Sequence, residues 1–451
     1  MINYLNPIEC KVDAKTATLI RPILSYTSVF YQQTAFRKIR KEYQKSSLTK
    51  DDSGSYYFLT GLLPRVIAHL KKISPLPTLS VESLGISAPI QHHKYKVKNL
   101  VLREDQEKLI QQACVAQRGI IQAPTGSGKT IIGIALYSCF DNCKLLWLCH
   151  TKDLMIQTAN EFKKFGFTSI GLVGDGKLEL NKQITIATRQ TFKKVNQDDY
   201  DMFIVDEAHH CNSFKSDYFD ILTKLPAPLR FGLTATPIDT EEGKLASEGL
   251  IGPLVASLSV QEGNDLGIIA KPVISLLRVP KNHSVNELRQ YQDVYAEGVV
   301  HSSVRNNLII DKALEHVNKG DSVLILVNHI EHGNNLLEIG REKNLPILFV
   351  QGSTGNDVRV ETKEALDAKH IKCVISTVIW YEGISIRSLN VIINAAGGKS
   401  EIRTLQTIGR GLRVTKDKKD VIIYDLWDVS HRFLIEHSGE RICTYMDQGW
   451  M

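Results

Sequence analysis

The sequence predicts an α/β protein: two tandem, doubly wound parallel-sheet domains preceded by a small α+β domain. Three observations carry this expectation. Short, continuous apolar runs recur through residues 100–264, each followed by a turn or a longer, more polar run, which is the rhythm of βαβ units. The same rhythm returns through residues 265–451. The first 99 residues lack it and hold the positive charge of the chain.

In the middle segment the runs 120–123, 144–148, 184–187, 203–205 and 231–234 read as buried strands, and in the last segment so do 323–327, 347–350, 373–376, 391–393 and 421–424. Most are rich in Ile, Val and Leu without alternation, as strands covered on both faces require. The first segment closes on the loop-like stretches Ser74–Pro75–Leu76–Pro77 and Ile86–Ser87–Ala88–Pro89. The expected division is therefore 1–99, 100–264 and 265–451, with no repeat and no low-complexity tract.

Composition sets the outer limits. Of 451 residues 43% are hydrophobic and 23% charged, enough material for about three ordinary cores. No apolar run approaches the roughly 18 residues a bilayer span needs. Glu9 and Asp13 near the start, without a basic flank before an apolar stretch, argue against a secretory signal. The eight cysteines are scattered and form no Cys-x-x-Cys. Neither Cys139, Cys143 and Cys149 nor His209–His210–Cys211 has zinc-site spacing, so reduced thiols and a cytoplasmic location are expected. Residues 1–100 hold 15 Lys and Arg against 6 Asp and Glu, a balance of +9 in a chain whose total is +6. Such asymmetry points to a polyanion partner for that segment.

The chemistry begins at Ala123, Pro124, Thr125, Gly126, Ser127, Gly128, Lys129 and Thr130, which follow an expected strand and open an expected helix at 131–137. That is the context of a phosphate loop. Gly126 and Gly128 let successive N–H groups turn toward phosphate oxygens at a helix N-terminus. Lys129 would neutralise the β- and γ-phosphates of ATP, and the Thr130 hydroxyl would bind Mg²⁺. Ala123 stands where the generic pattern has its first glycine. Asp206, Glu207, Ala208 and His209 close the strand 203–205. Two adjacent carboxylates there are expensive unless a cation or a reaction uses them. Asp206 suits Mg²⁺, directly or through water, and Glu207 suits orienting and deprotonating a water. His209 could relay to the next motif. By itself the tetrad also fits a solvated acidic turn.

Phosphate loop, Asp206–Glu207–Ala208–His209 and Leu233–Thr234–Ala235–Thr236–Pro237, in that order, resemble the core motifs of superfamily two helicases with a DEAH box. Tyr381–Glu382–Gly383–Ile384–Ser385–Ile386 resembles motif five, and Gln406–Thr407–Ile408–Gly409–Arg410–Gly411–Leu412–Arg413 resembles motif six. The resemblance covers residues 100–430, and its nearest subgroup is the phage recombination helicases of the UvsW kind, which remodel branched DNA. It implies that Gln106, with Arg103 in the same motif, reads the adenine edge, that Gly383 lies near the nucleotide, and that Thr234 and Thr236 couple hydrolysis to domain movement. Gln406, Arg410 and Arg413 would join the catalytic set. Spaced by three, the two arginines share a helix face, where an anion opposite relieves their repulsion. Arginine fingers of this sort contribute about 10³ to 10⁵ in rate, and would reach the γ-phosphate as the two domains close. A phage-encoded relative would act in the host cytoplasm.

A motor must grip the backbone of its track rather than the bases. Candidates at strand ends are Thr151, Thr188 with Arg189, Asn328, Ser376 and Thr377, positions that resemble further family motifs. In the first segment Arg37, Lys38, Arg40 and Lys41 sit among aromatics (Tyr26, Phe30, Tyr31, then Tyr56–Tyr57–Phe58), a mixture that suits a duplex- or junction-binding module. The plain alternative is a solvated basic helix whose aromatics fill a core. The expected partner is branched or forked DNA with a single-strand track, met by a monomer moving 3′ to 5′. The core motifs leave an RNA helicase and a duplex translocase open.

Overall fold

The computed structural model describes residues 2–33, 38–73, 89–193, 200–267, 271–351, 354–377, 388–398, 420–447 and 450–451. The chain divides into two compact units: Met1–Ala123 with Gly128–Leu258, and Ser259–Met451 with Pro124–Ser127.

The first unit opens on a four-stranded antiparallel sheet made of β1 (Ile2–Tyr4), β2 (Glu9–Val12), β5 (Thr49–Lys50) and β6 (Tyr56–Leu59), in the order β1-β2-β6-β5. Helices α1 (Ala14–Ile20) and α2 (Leu63–Ile73) accompany it. Asp13 starts α1 by accepting the Thr16 N–H at 2.8 Å. Between α1 and β5 runs an antiparallel ribbon of β3 (Ser25–Gln33) and β4 (Lys38–Ser46), with Tyr31 opposite Arg40 and Phe30 opposite Lys41. From Lys38 onward the basic stretch is thus extended strand rather than helix. The expected α+β character of the segment stands.

The first large sheet has eight strands: β7 (Arg118–Gln122), β8 (Leu145–Cys149), β9 (Ile170–Gly174), β10 (Lys177–Leu178), β11 (Ile184–Thr188), β12 (Met202–Asp206), β13 (Leu229–Thr234) and β14 (Leu254–Ser257). Their order is β10-β9-β11-β8-β12-β13-β7-β14, parallel apart from the β9–β10 hairpin. Between them run α3 (Glu104–Ala116), α4 (Lys129–Tyr137), α5 (Lys152–Lys164), α6 (Arg189–Phe192), α7 (Asp217–Leu222) and α8 (Glu241–Leu250). The sequence missed β9, whose five residues include two glycines, and the edge strand β14, of which only Ala256 is buried.

One face of this sheet shares its core with the N-terminal segment. Ile20, Leu24, Phe58, Leu62, Val66 and Leu70 form a continuous buried cluster with Leu146, Leu148, Phe203, Val205 and Ile251. Polar contacts reinforce the join: Arg118 donates to the carbonyls of Pro7 and Ile251, and Arg65 pairs with Glu248. Gly61 lies so close to the Glu248 carbonyl that an added Cβ would stand 2.0 Å from it. Tyr26 and Phe58, two of the aromatics noted in the sequence, belong to this core.

The second unit begins with α9 (Val260–Asp265) and holds a six-stranded sheet of β15 (Lys271–Arg278), β16 (Ser322–Val327), β17 (Ile347–Val350), β18 (Cys373–Thr377), β19 (Leu389–Asn394) and β20 (Asp420–Trp427). The order is β15-β20-β19-β16-β18-β17, parallel throughout. Helices α10 (Tyr291–Tyr295), α11 (Ser303–Asn318), α12 (Ile330–Glu342), α13 (Asn356–Asp367) and α14 (Arg432–Asp447) complete it. Two buried ion pairs brace this sheet. Arg305 meets Asp428 at 3.0 Å, and Arg441 grips Asp425 at 2.8 and 3.0 Å while Tyr445 donates to the same carboxylate. Arg305, Tyr295, Asn328 and Arg441 also donate to the carbonyls of Ala395, Ala396 and Gly398.

Candidate nucleotide and nucleic-acid site

The carboxyl ends of β11, β8, β12, β13 and β7 stand side by side, because these strands are neighbours in parallel register. In a doubly wound sheet that edge is where ligands bind. Across it stand Thr188, then His150 and Thr151, then Asp206 and Glu207, then Thr234, then the loop after Gln122.

The phosphate loop leaves β7 with the Ala123 N–H donating to the Thr234 carbonyl at 2.9 Å. Ala123 is wholly buried, so its methyl is accommodated where the generic pattern has glycine. Gly126 and Gly128 adopt φ of 91° and 86°, in the left-handed region that costs glycine nothing. Gly128 caps α4, which places Lys129 and Thr130 in the first turn. Gln106, 4% exposed, lies against this turn. A Cβ at position 128 would stand 2.7 Å from its Nε2, the far end of a flexible side chain, so it is the backbone angle that favours glycine there. The Gln106 carbonyl oxygen accepts from the Arg103 N–H at 3.2 Å. The Arg103 guanidinium itself forms two 3.0 Å bonds with Asp105, which places its charge on a carboxylate of its own helix.

Asp206 ends β12, almost buried, and its Oδ1 accepts the Glu207 N–H at 3.0 Å. Burial and the adjacent Glu207 charge push the Asp206 carboxyl up, with Lys129 working the other way. Burial would raise Glu207 too, but the His209 hydrogen bond and the charges of Lys129 and His209 hold it down. The two carboxyl groups are therefore driven apart in proton affinity, the arrangement expected where two acids have different tasks. Glu207 has φ 54° and ψ 53°, a left-handed conformation costing a non-glycine residue about 1–2 kcal/mol. His209 Nδ1 lies 3.4 Å from Glu207 Oε2 and 3.2 Å from the Thr234 hydroxyl. Thr234 Oγ1 donates to the Thr236 carbonyl and accepts the Thr236 N–H. Glu207, His209, Thr234 and Thr236 thus form one connected chain of contacts.

The proposed track residues fare unevenly. Thr151 caps α5 and stays half-exposed, its hydroxyl accepting the Leu154 N–H at 3.4 Å. Arg189 is half-buried and paired with Asp217 at 2.6 Å. Asn328 donates to the Ala396 carbonyl at 3.3 Å. Thr188, Ser376 and Thr377 lie at the carboxyl ends of β11 and β18 with buried side chains. All three are 6% exposed or less; Thr188 donates to Thr191, and Ser376 to the Thr377 carbonyl. In the ribbon Lys41 is half-buried, and Lys38 and Arg40 occupy β4 by their backbone. Arg37, Gly383, Gln406, Arg410 and Arg413 lie outside the described residues.

Sequence reasoning passed over two histidines. His210 follows His209 in the turn after Glu207, and its ring stacks on His150 beyond β8. Burial first, then the charges of His209 and His150, hold His210 down to about 3. Both residues were visible in the sequence. Their meeting depends on β8 and β12 being neighbours.

Comparisons with known proteins bear on this geometry. Residues 99–239 match the family described as "Type III restriction enzyme, res subunit", and residues 305–415 match "Helicase conserved C-terminal domain". The chain is 29% identical over 369 residues to "Probable helicase D10" of Escherichia phage T5, across 80% of this chain and 78% of that one. It is 24% identical over 374 residues to "ATP-dependent DNA helicase uvsW" of Enterobacteria phage T4, across 76% and 74%. Among solved structures, S. cerevisiae Dbp5 bound to RNA and ADP BeF3 shares the fold, with a TM-score of 0.56 at 15% identity over 78% of this chain and 92% of that one. Each α/β unit thus carries its own family match on a parallel sheet of RecA-like kind, and the chain belongs to the superfamily two helicases, similar to the UvsW kind, as a nucleic-acid-dependent ATPase.

Proposed function

We propose that this helicase unwinds and branch-migrates forked or four-way DNA in recombination, repair or replication, as a monomer on a single-strand track. The observation that carries the reading is the basic ribbon β3–β4, built on the same core as the sheet that holds the phosphate loop. A β-ribbon fits a major groove, and here it would lie beside the motor rather than on a tether. Residues 1–99 then serve as the branch-binding part, 100–264 as the ATP-binding domain and 265–451 as the second motor domain.

In the hydrolytic step Gln106 reads the base and Lys129 neutralises the β- and γ-phosphates at the N-terminus of α4. Thr130 and Asp206 would hold Mg²⁺. The donors suit it: a hydroxyl and a carboxylate are hard oxygen ligands, and Asp206 is a buried carboxyl whose charge a divalent cation would offset. When bound, the ion neutralises phosphate charge. Glu207, kept ionised by His209 and Lys129, orients and deprotonates the attacking water. By their motif resemblance Gln406, Arg410 and Arg413 would stabilise charge on the γ-phosphate, and Gly383 would belong to the nucleotide-binding set. The link through His209, Thr234 and Thr236 reports the state of the carboxylate to the backbone after β13.

ATP turnover and strand separation on single strands, duplexes, forks, four-way junctions and RNA test the proposal. Preferential processing of forks and junctions is expected, and Lys129→Ala should abolish DNA-stimulated turnover while DNA binding persists. Equal activity on plain duplex or RNA would refute the branched-DNA reading. Unchanged turnover in Lys129→Ala would remove the site assignment.

A further inference from the structure

Between the strand ends suited to the track and those bearing the carboxylates lies a contact without an assigned role. His150 immediately precedes Thr151 after β8, and His210 closes the turn that Glu207 opens. Their rings lie parallel within 10°, centroids 3.7 Å apart. His210 also leans on His209 at 4.2 Å, and His209 touches both Glu207 and Thr234. Side chains therefore connect the end of β8 to the carboxylate without a gap. We propose that the His150–His210 stack is a positioning contact that transmits occupation of the track at the end of β8 to Glu207, so that nucleic acid accelerates ATP hydrolysis.

The physical case rests on how little slack such a contact has. Flat rings 3.7 Å apart sit near the dispersion optimum, and opening the gap by about 0.5–1 Å already forfeits a quarter to a half of the attraction. A shift of the β8 end is therefore felt at His210, and His210 cannot move without its neighbour His209. Glu207 is responsive to such a push because its left-handed backbone persists only while the surroundings hold it. Arg189, at the end of β11 and close enough to His210 to act on it electrostatically, adds a second point where the track can influence the same turn.

The inference rests on the reading of the chain as a DNA-stimulated ATPase, so its test separates the two. Steady-state ATP turnover of the full chain is measured with and without forked DNA for the wild type, His150→Ala and His150→Phe. Stimulation, the ratio of DNA-saturated to unstimulated kcat, should fall by about 5- to 150-fold in His150→Ala, the usual span of coupling between two sites. Unstimulated kcat should be unchanged. His150→Phe, which keeps a flat ring, should retain stimulation. Should the alanine variant not fold, His150→Leu removes the ring at comparable volume and takes its place. Wild-type stimulation in the ringless variant overturns the proposal, as does an equal loss of stimulated and unstimulated turnover in both variants. A wild type that DNA does not stimulate overturns the parent reading as well.

Discussion

Replacing Arg441 by methionine probes how the second sheet is braced. The Arg441 side chain is 2% exposed and that of Asp425 is 3% exposed. The guanidinium contributes bonds of 2.8 and 3.0 Å to the carboxylate and donates to the carbonyls of Gly398 and Leu426 at 2.9 Å each. Methionine keeps much of the stem but leaves Asp425 buried with Tyr445 and Asn394 as its remaining side-chain donors among the described residues. Removing one partner of a buried ion pair costs about 3–5 kcal/mol. In a unit of this size 1 kcal/mol moves the midpoint by roughly 2–4 °C, so its melting should fall by about 6–20 °C. Calorimetry resolves this if the two units melt separately, and urea unfolding followed by a probe placed in the second unit gives the same quantity otherwise. The double variant with Asp425→Asn should lose less than the sum of the single losses, because the uncompensated charge is gone. A change below about 1 kcal/mol in Arg441→Met would refute the view that the pair holds α14 to β20.

Two further expectations follow from the first unit. Gly128→Ala should weaken ATP binding and cost about 1–2 kcal/mol from its backbone angle. Wild-type nucleotide affinity in a titration would refute the view that the left-handed turn at 128 shapes the phosphate loop. Substituting Lys38, Arg40 and Lys41 together by alanine should leave unstimulated ATP turnover intact while reducing the salt slope of junction binding by roughly 2.7, about 0.9 per phosphate released. An unaltered slope would take the ribbon out of the DNA-binding surface.

What could be read from sequence, and what could not, follows from burial. The central strands of both sheets are covered on two faces, and such strands are written as unbroken apolar runs, for instance 203–205 and 323–327. The phosphate loop and the Asp206–His209 box were legible because their chemistry admits few residue types at fixed spacing. Edge strands were not. β14 is half-covered, and β15 carries Pro272, tolerable only where a ladder hydrogen bond is dispensable. The ribbon escaped notice because its polar and basic residues show no apolar alternation. Thr188, Ser376 and Thr377 were legible as strand ends, while the degree to which packing covers their side chains was not. Strand order is the part least available to inspection, and it alone brings His150 to His210.

The apolar cluster joining the N-terminal segment to the ATP-binding sheet has a mechanical consequence. With Ile20, Phe58, Leu62 and Val66 in the same buried layer as Leu148 and Phe203, the segment from which the ribbon springs is fixed to the motor sheet. Resistance met by the ribbon on a branch point would load the strands that carry the phosphate loop and the carboxylates directly. For the same reason the protein offers no clean place to be cut: trimming away the first hundred residues would strip one side from the motor domain itself, so single-residue changes on the ribbon are the sounder way to separate gripping a branch from burning nucleotide.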